Sequence, residues 1–153
     1  MKSGWGAGFT LVELFLVISL MAVMTAIAVP RFKKTTEGLR LKNTAFNLYK
    51  LALSAQESAV TQGRDVCIHF QFKDGTYQLL KRTDGVFGPA EGRWAKKMRV
   101  PEGVSLKGKT DDLVCFSDGH CEPASFTISG EGGRYELSIE NLGGTVRIRE
   151  VSP

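Results

Sequence analysis

The chain has 153 residues and a formal net charge of +4, with a sequence pI of about 9.1. This small excess of basic residues does not by itself require a nucleic-acid partner. The length is sufficient for one small domain together with an N-terminal helix. Seventeen glycines and several turn signals predict a loop-rich, β-containing body.

The first element in the chain is an apolar stretch that runs from Phe9 to Val29. At about 1.5 Å per residue, roughly 21 helical residues span about 30 Å, the thickness of a bilayer hydrocarbon core. The stretch therefore predicts a transmembrane helix over 9–29. Its one charged residue is Glu13. A carboxylate in a membrane helix costs roughly 2.5–3.5 kcal/mol at the centre, so Glu13 is expected to have a partner and a function.

The next segment, 30–62, predicts an amphipathic helix that continues the first one into the body. Pro30 can kink a helix without ending it, and Gly63 is expected to stop it. Apolar residues recur every three or four positions and form one stripe. The stripe consists of Leu41, Ala45, Leu48, Ala52, Ala55 and Ala59. The residues expected to widen this core face are Phe46, Tyr49, Leu53 and Val60.

The remaining segment, 63–153, predicts a β-rich globular domain made of short antiparallel strands. Hairpin signals occur at Lys73-Asp74-Gly75, Gly132-Gly133 and Gly143-Gly144. The glycine-rich stretch 83–93 is expected to be a loop. The predicted strands cover 65–72, 76–81, two parts of 97–107, 113–116, 125–129, 135–140 and 145–151. Together these elements predict an α+β fold, a long N-terminal helix packed against antiparallel sheets.

A short polar leader ends in Gly8 and is followed by Phe9, by Glu13 as the fifth residue after that glycine, and by an apolar run closed by Pro30. This pattern resembles the class III signal of type IV pilins and type II secretion pseudopilins. The resemblance implies a pilin-like fold. It also implies that a prepilin peptidase removes the leader 1–8 by cutting after Gly8 and methylates the new amino terminus on Phe9. Glu13 would then guide assembly by pairing with that amine on a neighbouring subunit.

A looser resemblance covers most of the rest of the chain and narrows the family. The helix end ALSAQESAVTQG followed by VCIHF, and the later F-S-D-G turn with two glycine-separated strands ending in VRIR, are similar to the GspH/FimT group. That group often has arginine where Gln56 stands here. The resemblance implies a minor pseudopilin at or near the tip of the type II secretion pseudopilus that assists protein export. The alternative is a FimT-like minor pilin of a type IV pilus, acting in pilus assembly or DNA uptake.

The resemblance also implies the location and the partners of the chain. It places the protein in the bacterial inner membrane as a single-pass protein, with its C-terminal body in the periplasm. The positive-inside rule alone would place the body in the cytoplasm, because Arg31, Lys33 and Lys34 follow the apolar run. We give the cleavage motif more weight. The implied partners are other pilins or pseudopilins in a filament, the prepilin peptidase, the inner membrane and secreted proteins, with DNA as the less favoured partner.

The cysteines are interpreted structurally. Cys115 and Cys121 flank a five-residue turn, and in an oxidising periplasm we expect them to form a disulfide. Cys67 is expected to be half-buried in the first strand. The combination of these cysteines with His69 and His120 lacks the close ligand pairs of zinc sites, so no metal or other cofactor is predicted.

Neither histidine has a nucleophile at a recognisable spacing, and no phosphate-binding loop occurs, so the sequence predicts no enzyme. One further surface is considered as a DNA-binding site. Arg147 and Arg149 share a face of the last strand, and some FimT-like members bind DNA through a C-terminal G-R-x-R motif. This chain has G-T-V-R-I-R instead. A solvated basic face is therefore the favoured interpretation, and phosphate binding is the alternative.

Overall fold

A computed structural model describes residues 9–90, 96–140 and 144–151, and within the helix it describes only the backbone of residues 27–35. The predicted leader, 1–8, with its cleavage site at Gly8, lies outside the described residues. The chain divides into two compact units, Met1–Thr35 and Thr36–Pro153, and each is described by itself. The helix α1, Leu11–Gln62, is continuous in its backbone. This confirms the prediction of one long N-terminal helix.

In the first unit, α1 begins with a side-chain cap. The Glu13 N–H donates a hydrogen bond to Thr10 Oγ1 at 3.3 Å, which makes Thr10 the N-cap residue. All side chains from Phe9 to Ala26 are exposed, although most of them are apolar. No helix among the residues with described side chains is long and apolar enough to cross a membrane.

In the second unit, one face of α1 forms half of the core. Leu41, Leu48 and the alanines of the predicted stripe are at most 1% exposed. Because alanine side chains are short, the sheets can approach this face closely. The helix ends as predicted at Gly63, whose φ is 60°. Arg64 N–H donates to the Ala59 carbonyl oxygen at 3.2 Å, and Gly63 N–H donates to that of Val60 at 3.3 Å, which is a Schellman motif.

The prediction of a wider core face is wrong for three residues. Phe46, Leu53 and Val60 are 40%, 39% and 52% exposed, and only Tyr49 is half-buried against the core. The sheets cover one side of the helix and do not wrap around to these positions.

The described strands of the body form two antiparallel sheets. Their bounds are β1 Val66–Gln71, β2 Thr76–Thr83, β3 Val86–Pro89, β4 Met98–Arg99, β5 Val104–Gly108, β6 Asp112–Cys115, β7 Ala124–Gly130, β8 Gly133–Glu140 and β9 Thr145–Val151. In one sheet the order is β3-β2-β1-β6, with β4 also paired to β2, and in the other it is β5-β7-β8-β9. The α+β architecture predicted from the sequence is therefore confirmed.

The sequence prediction missed β3. Segment 83–93 was expected to be a loop, but Val86–Pro89 pairs with β2, and Thr83 lies opposite Val86. Asp84 and Gly85 make the two-residue turn, with φ angles of 52° and 83°. Asp-Gly is one of the strongest sequence signals for such a turn, so the signal was present.

The two sheets meet in the core beside α1. The ring centroids of Phe70 on β1 and Phe126 on β7 are 4.4 Å apart. The β7–β8 turn contacts the helix directly, because a Cβ added at Gly132 would lie 2.5 Å from Gly38 Cα. This backbone approach explains a glycine at position 132.

Candidate functional site

The N-terminal candidate residues lie in the first turn of α1. Phe9 is 71% exposed and precedes the cap, and the exposed Glu13 is the third residue of the helix. A carboxylate there interacts favourably with the helix dipole, by about 0.3–1 kcal/mol. Its exposure also leaves it accessible to a positively charged group from another molecule. The third residue of the predicted processing motif, Gly8, is outside the described residues.

The two cysteines that flank the F-S-D-G-H turn are joined. Cys115 and Cys121 form a disulfide with their Cα atoms 4.0 Å apart, and both residues are buried. Inside the closed loop, Phe116 N–H donates to the His120 carbonyl oxygen at 2.8 Å. The Phe116 and His120 rings stack at 4.3 Å. The turn is therefore ordered by covalent, hydrogen-bonded and aromatic contacts at once.

Asp118 reinforces the same turn from its surface. Its Oδ1 accepts hydrogen bonds from the His120 backbone N–H at 3.1 Å and is 2.5 Å from His120 Nδ1. The bond from the backbone of His120, followed by that from its side chain, lowers the pKa of Asp118. Asp118 and His120 thus form a local pair that shapes the turn.

The turn is also bound to the helix. Gln56 Nε2 on α1 donates a hydrogen bond to the Gly119 carbonyl oxygen at 2.7 Å. Gly144, just before β9, packs on the same contact, because a Cβ there would lie 2.9 Å from the Gly119 oxygen. In the sequence, Gln56 is notable only as a departure from the arginine common in the group. In the structure, the Gln56 side chain contacts both the disulfide turn at Gly119 and the residue that precedes β9, Gly144.

The third cysteine faces a histidine–aspartate pair. Cys67 Sγ is 3.5 Å from Asp112 Oδ1, and His69 Nδ1 is 2.7 Å from the same oxygen. Cys67 is only 2% exposed, so the expectation of half-burial was wrong. Burial, and then the charge of Asp112, raise the pKa of the Cys67 thiol to about 12. The sulfur is therefore a protonated thiol at neutral pH, which is a poor nucleophile.

The soft-ligand residues do not converge. Cys115 and Cys121 are bonded to each other in a disulfide, so neither has a free thiol to bind a metal. His69 pairs with Asp112, and His120 pairs with Asp118. Within the described residues, no group of three or more His, Cys, Asp or Glu side chains could hold a metal ion.

The basic face of β9 carries acidic partners. Arg147 Nη1 forms an ion pair with Glu140 Oε1 at 3.1 Å. Arg149 lies opposite Glu136 in the β8–β9 register. These four charged residues, with Tyr49 from the helix, line an open cleft of about 470 Å³. Since arginine and glutamate alternate across the strands, the cleft does not present the uniformly positive surface that a phosphate backbone favours.

In sequence, the chain is similar to a fimbrial protein and to a type IV major pilin. No protein-family model matches the chain. It is 29% identical over 72 residues to a fimbrial protein of Pseudomonas aeruginosa, covering 47% of this chain and 46% of that protein. It is 27% identical over 100 residues to the type IV major pilin protein PilE1 of Neisseria gonorrhoeae, covering 63% and 49%. The chain thus spans about half the length of the curated relatives it matches.

Solved structures share the fold over most of the chain. The minor pseudopilin EpsH from the type 2 secretion system of Vibrio cholerae matches with a TM-score of 0.64 at 18% identity, covering 72% of this chain and 97% of that one. The type IV minor pilin FimU of Pseudomonas aeruginosa matches with a TM-score of 0.57 at 18% identity, covering 71% and 87%. The chain is therefore similar in sequence to pilins, and it has the fold of minor pseudopilins and minor pilins.

Proposed function

We propose that this chain is a minor pseudopilin, a structural subunit at or near the tip of a type II secretion pseudopilus that assists protein export. The observation that carries the proposal is the exposed apolar helix of the first unit with Glu13 in its first turn. An apolar surface of this kind requires lipid or like helices around it. The match of the body to a type 2 secretion pseudopilin supports the choice of system.

The proposal includes a defined maturation. A prepilin peptidase cuts after Gly8 and methylates Phe9, and the segment 9–29 then holds the chain in the inner membrane with its body in the periplasm. The sequence motif supports the cleavage, and the roughly 21-residue apolar run supports the anchor. The disulfide between Cys115 and Cys121 is consistent with an oxidising compartment.

Glu13 has the assembly role in this proposal. In lipid, an unpaired carboxylate is costly, and the amine of Phe9 on a neighbouring subunit would neutralise it. Glu13→Gln removes the charge and keeps the size of the side chain. It is expected to lower incorporation into filaments at least tenfold while the protein remains in the membrane. Glu57→Gln, at an exposed position of the same helix, is the matched control and should incorporate normally. Normal incorporation of Glu13→Gln would contradict the proposed role.

Two experiments distinguish a type II secretion system from a type IV pilus: identification of the proteins that co-purify with the chain, and the phenotype of a strain that lacks it. If the proposal is correct, the chain co-purifies with pseudopilins, and its deletion causes secreted proteins to accumulate in the periplasm. Co-purification with pilus pilins and loss of pili would instead support the minor-pilin alternative. Within the minor-pilin alternative, a role in DNA uptake is less favoured than a role in pilus assembly. Arg147 is already paired with Glu140, which reduces the positive charge available to bind phosphate.

A further inference from the structure

Strand β9 lies at the end of its sheet. The order of that sheet is β5-β7-β8-β9, and β9 pairs with β8 along its whole length of seven residues. Within the described part of the chain, no strand pairs with the other edge of β9. Backbone N–H and C=O groups alternate between the two edges of a strand. About half of the residues of β9 therefore present these groups to the free edge.

The other terminal strands in the described residues are short or covered. β3 has four residues and ends in Pro89, which has no N–H, and β5 has five residues and carries Lys107. The chain itself occupies part of the outer edge of β6, because Glu122 N–H donates to the Val114 carbonyl oxygen at 2.8 Å. Short strands, proline, lysine and a covering segment protect an edge from pairing with another chain. β9 has seven residues and contains neither proline nor lysine.

The polar face of β9 selects for charge. Arg147 and Arg149 are exposed on this face, and their neighbours on β8 are acidic. Arg147 forms the 3.1 Å ion pair with Glu140, and Arg149 lies opposite Glu136. A strand added to the free edge would place its own side chains beside the same two arginines. Acidic residues at alternate positions of that strand are therefore favoured, and basic ones are disfavoured.

The other face of β9 is apolar and only partly covered. Val146 is buried there, whereas Ile148 and the neighbouring Tyr49 of the helix are half-buried against the core. All three line the cleft of about 470 Å³, together with charged residues of β8 and β9. The cleft thus includes residues from both faces of the strand. Aliphatic side chains of an added strand would cover the exposed parts of Tyr49 and Ile148.

A second copy of the chain is a poor occupant of this edge. Pairing β9 with another β9 would bring the arginines of the two copies together on the same face. Like charges on neighbouring strands oppose pairing. The charge pattern therefore favours a strand from a different protein.

We propose that the free edge of β9 binds an extended segment of a different protein by strand addition, and that this segment alternates acidic with aliphatic residues. Backbone hydrogen bonds supply affinity in this mode of recognition, and side chains supply specificity. β8 has the required alternation, because Glu136 and Glu140 alternate with Leu137 and Ile139. A peptide with the sequence of residues 134–140, RYELSIE, is therefore a suitable probe. Its binding requires no filament, so a negative result leaves the proposed function standing.

Fluorescence anisotropy of the labelled, end-blocked peptide with the detergent-solubilised full chain tests the charge pattern. Arg147→Glu with Arg149→Glu is expected to weaken binding of RYELSIE by about tenfold or more, and to strengthen binding of RYKLSIK by a similar factor. Lys73→Glu with Arg99→Glu is the matched control, because both residues are exposed outside the sheet of β9 and the net charge changes equally. This control should stay within about twofold of the unsubstituted chain. Absence of RYELSIE binding, or an equal loss in the two double variants, overturns the proposal.

Backbone pairing is tested separately from charge. A peptide N-methylated at its three central residues keeps its side chains but lacks the donors for a strand ladder, so it should bind about tenfold more weakly or worse. Hydrogen–deuterium exchange should slow in β9 when the unmethylated peptide is added. Equal affinity of the two peptides, or protection confined to other strands, overturns strand addition at β9. Protection of β9 that increases with chain concentration in the absence of peptide would identify a second copy as the occupant and also overturn the proposal.

Discussion

Gln56 and Gly119, 63 residues apart in the chain, are joined by a 2.7 Å hydrogen bond from the helix side chain to the turn carbonyl. The contact links α1 to the disulfide turn at the point where Gly144 also packs. A single amide side chain therefore couples three parts of the body.

Gln56→Ala should destabilise the body by about 1–2 kcal/mol, because it leaves the Gly119 carbonyl oxygen without its donor. Glu57→Gln, one position along the helix and exposed, should change the stability by less than about 0.5 kcal/mol. Chemical denaturation of the detergent-solubilised chain measures both. Equal stability of Gln56→Ala and the unsubstituted chain would show that the contact contributes nothing.

The glycine pair at the β7–β8 turn gives an asymmetric prediction. Gly132→Ala should destabilise the body by about 1–3 kcal/mol, since its Cβ would collide with Gly38 Cα. Gly38→Ala should be neutral or stabilise by up to about 1 kcal/mol, since its Cβ would meet nothing within 4 Å and alanine favours helix. Thermal melting of the two variants tests the direction of each change. The reverse order of stabilities would contradict the close approach.

Features that depend on neighbouring residues in the chain could be predicted from the sequence, and contacts between distant parts of the chain could not. The helix, its stop at Gly63 and most strands followed from periodicity and glycine signals, which depend on neighbours in the chain. The exposure of Phe46 and Leu53 did not, because periodicity shows that a helix has an apolar side without showing how far the sheets extend around it. The Gln56–Gly119 and Gly38–Gly132 contacts join distant parts of the chain, and a single sequence carries no signal for them. The strand that begins at Val86 could have been predicted, because the Asp84-Gly85 turn signal before it is present in the sequence.

Removing the disulfide should weaken the body moderately. The Cys115→Ser and Cys121→Ser double variant is expected to lose about 2 kcal/mol of unfolding free energy, because the closed loop is short. Cys67→Ser, at the buried cysteine outside that loop, serves as a control for the chemistry of the substitution. Unfolding with and without reductant measures the effect. Adding reductant should lower the unfolding free energy of the unsubstituted chain by a similar amount. An unfolding free energy of the unsubstituted chain that is the same with and without reductant would contradict the prediction.

The buried thiol predicts a dependence of stability on high pH. The pKa of Cys67 is about 12 in the folded chain against 9.0 ordinarily, so the unfolded chain loses this proton first as the pH rises. The free energy of unfolding should therefore fall above about pH 9, by up to about 1.4 kcal/mol per pH unit from this group. Comparing the unsubstituted chain with Cys67→Ala between pH 8 and pH 10 isolates the contribution. Identical slopes in the two proteins would contradict it.

The mixed charge on β9 predicts weak interaction with DNA. The full chain in detergent should show little DNA binding at about 150 mM salt, and Arg147→Ala with Arg149→Ala should change the affinity by less than twofold. Gel-shift titrations at several salt concentrations measure this. Strong, salt-sensitive binding that the double variant loses would instead favour the DNA-uptake alternative.

Intact-mass spectrometry of the chain recovered with filaments from the native host tests the filament assignment most directly. The account predicts a chain that begins at N-methylated Phe9 and is recovered together with other pilin-like subunits. A chain that retains residues 1–8 and is recovered without any pilin-like partner would contradict it.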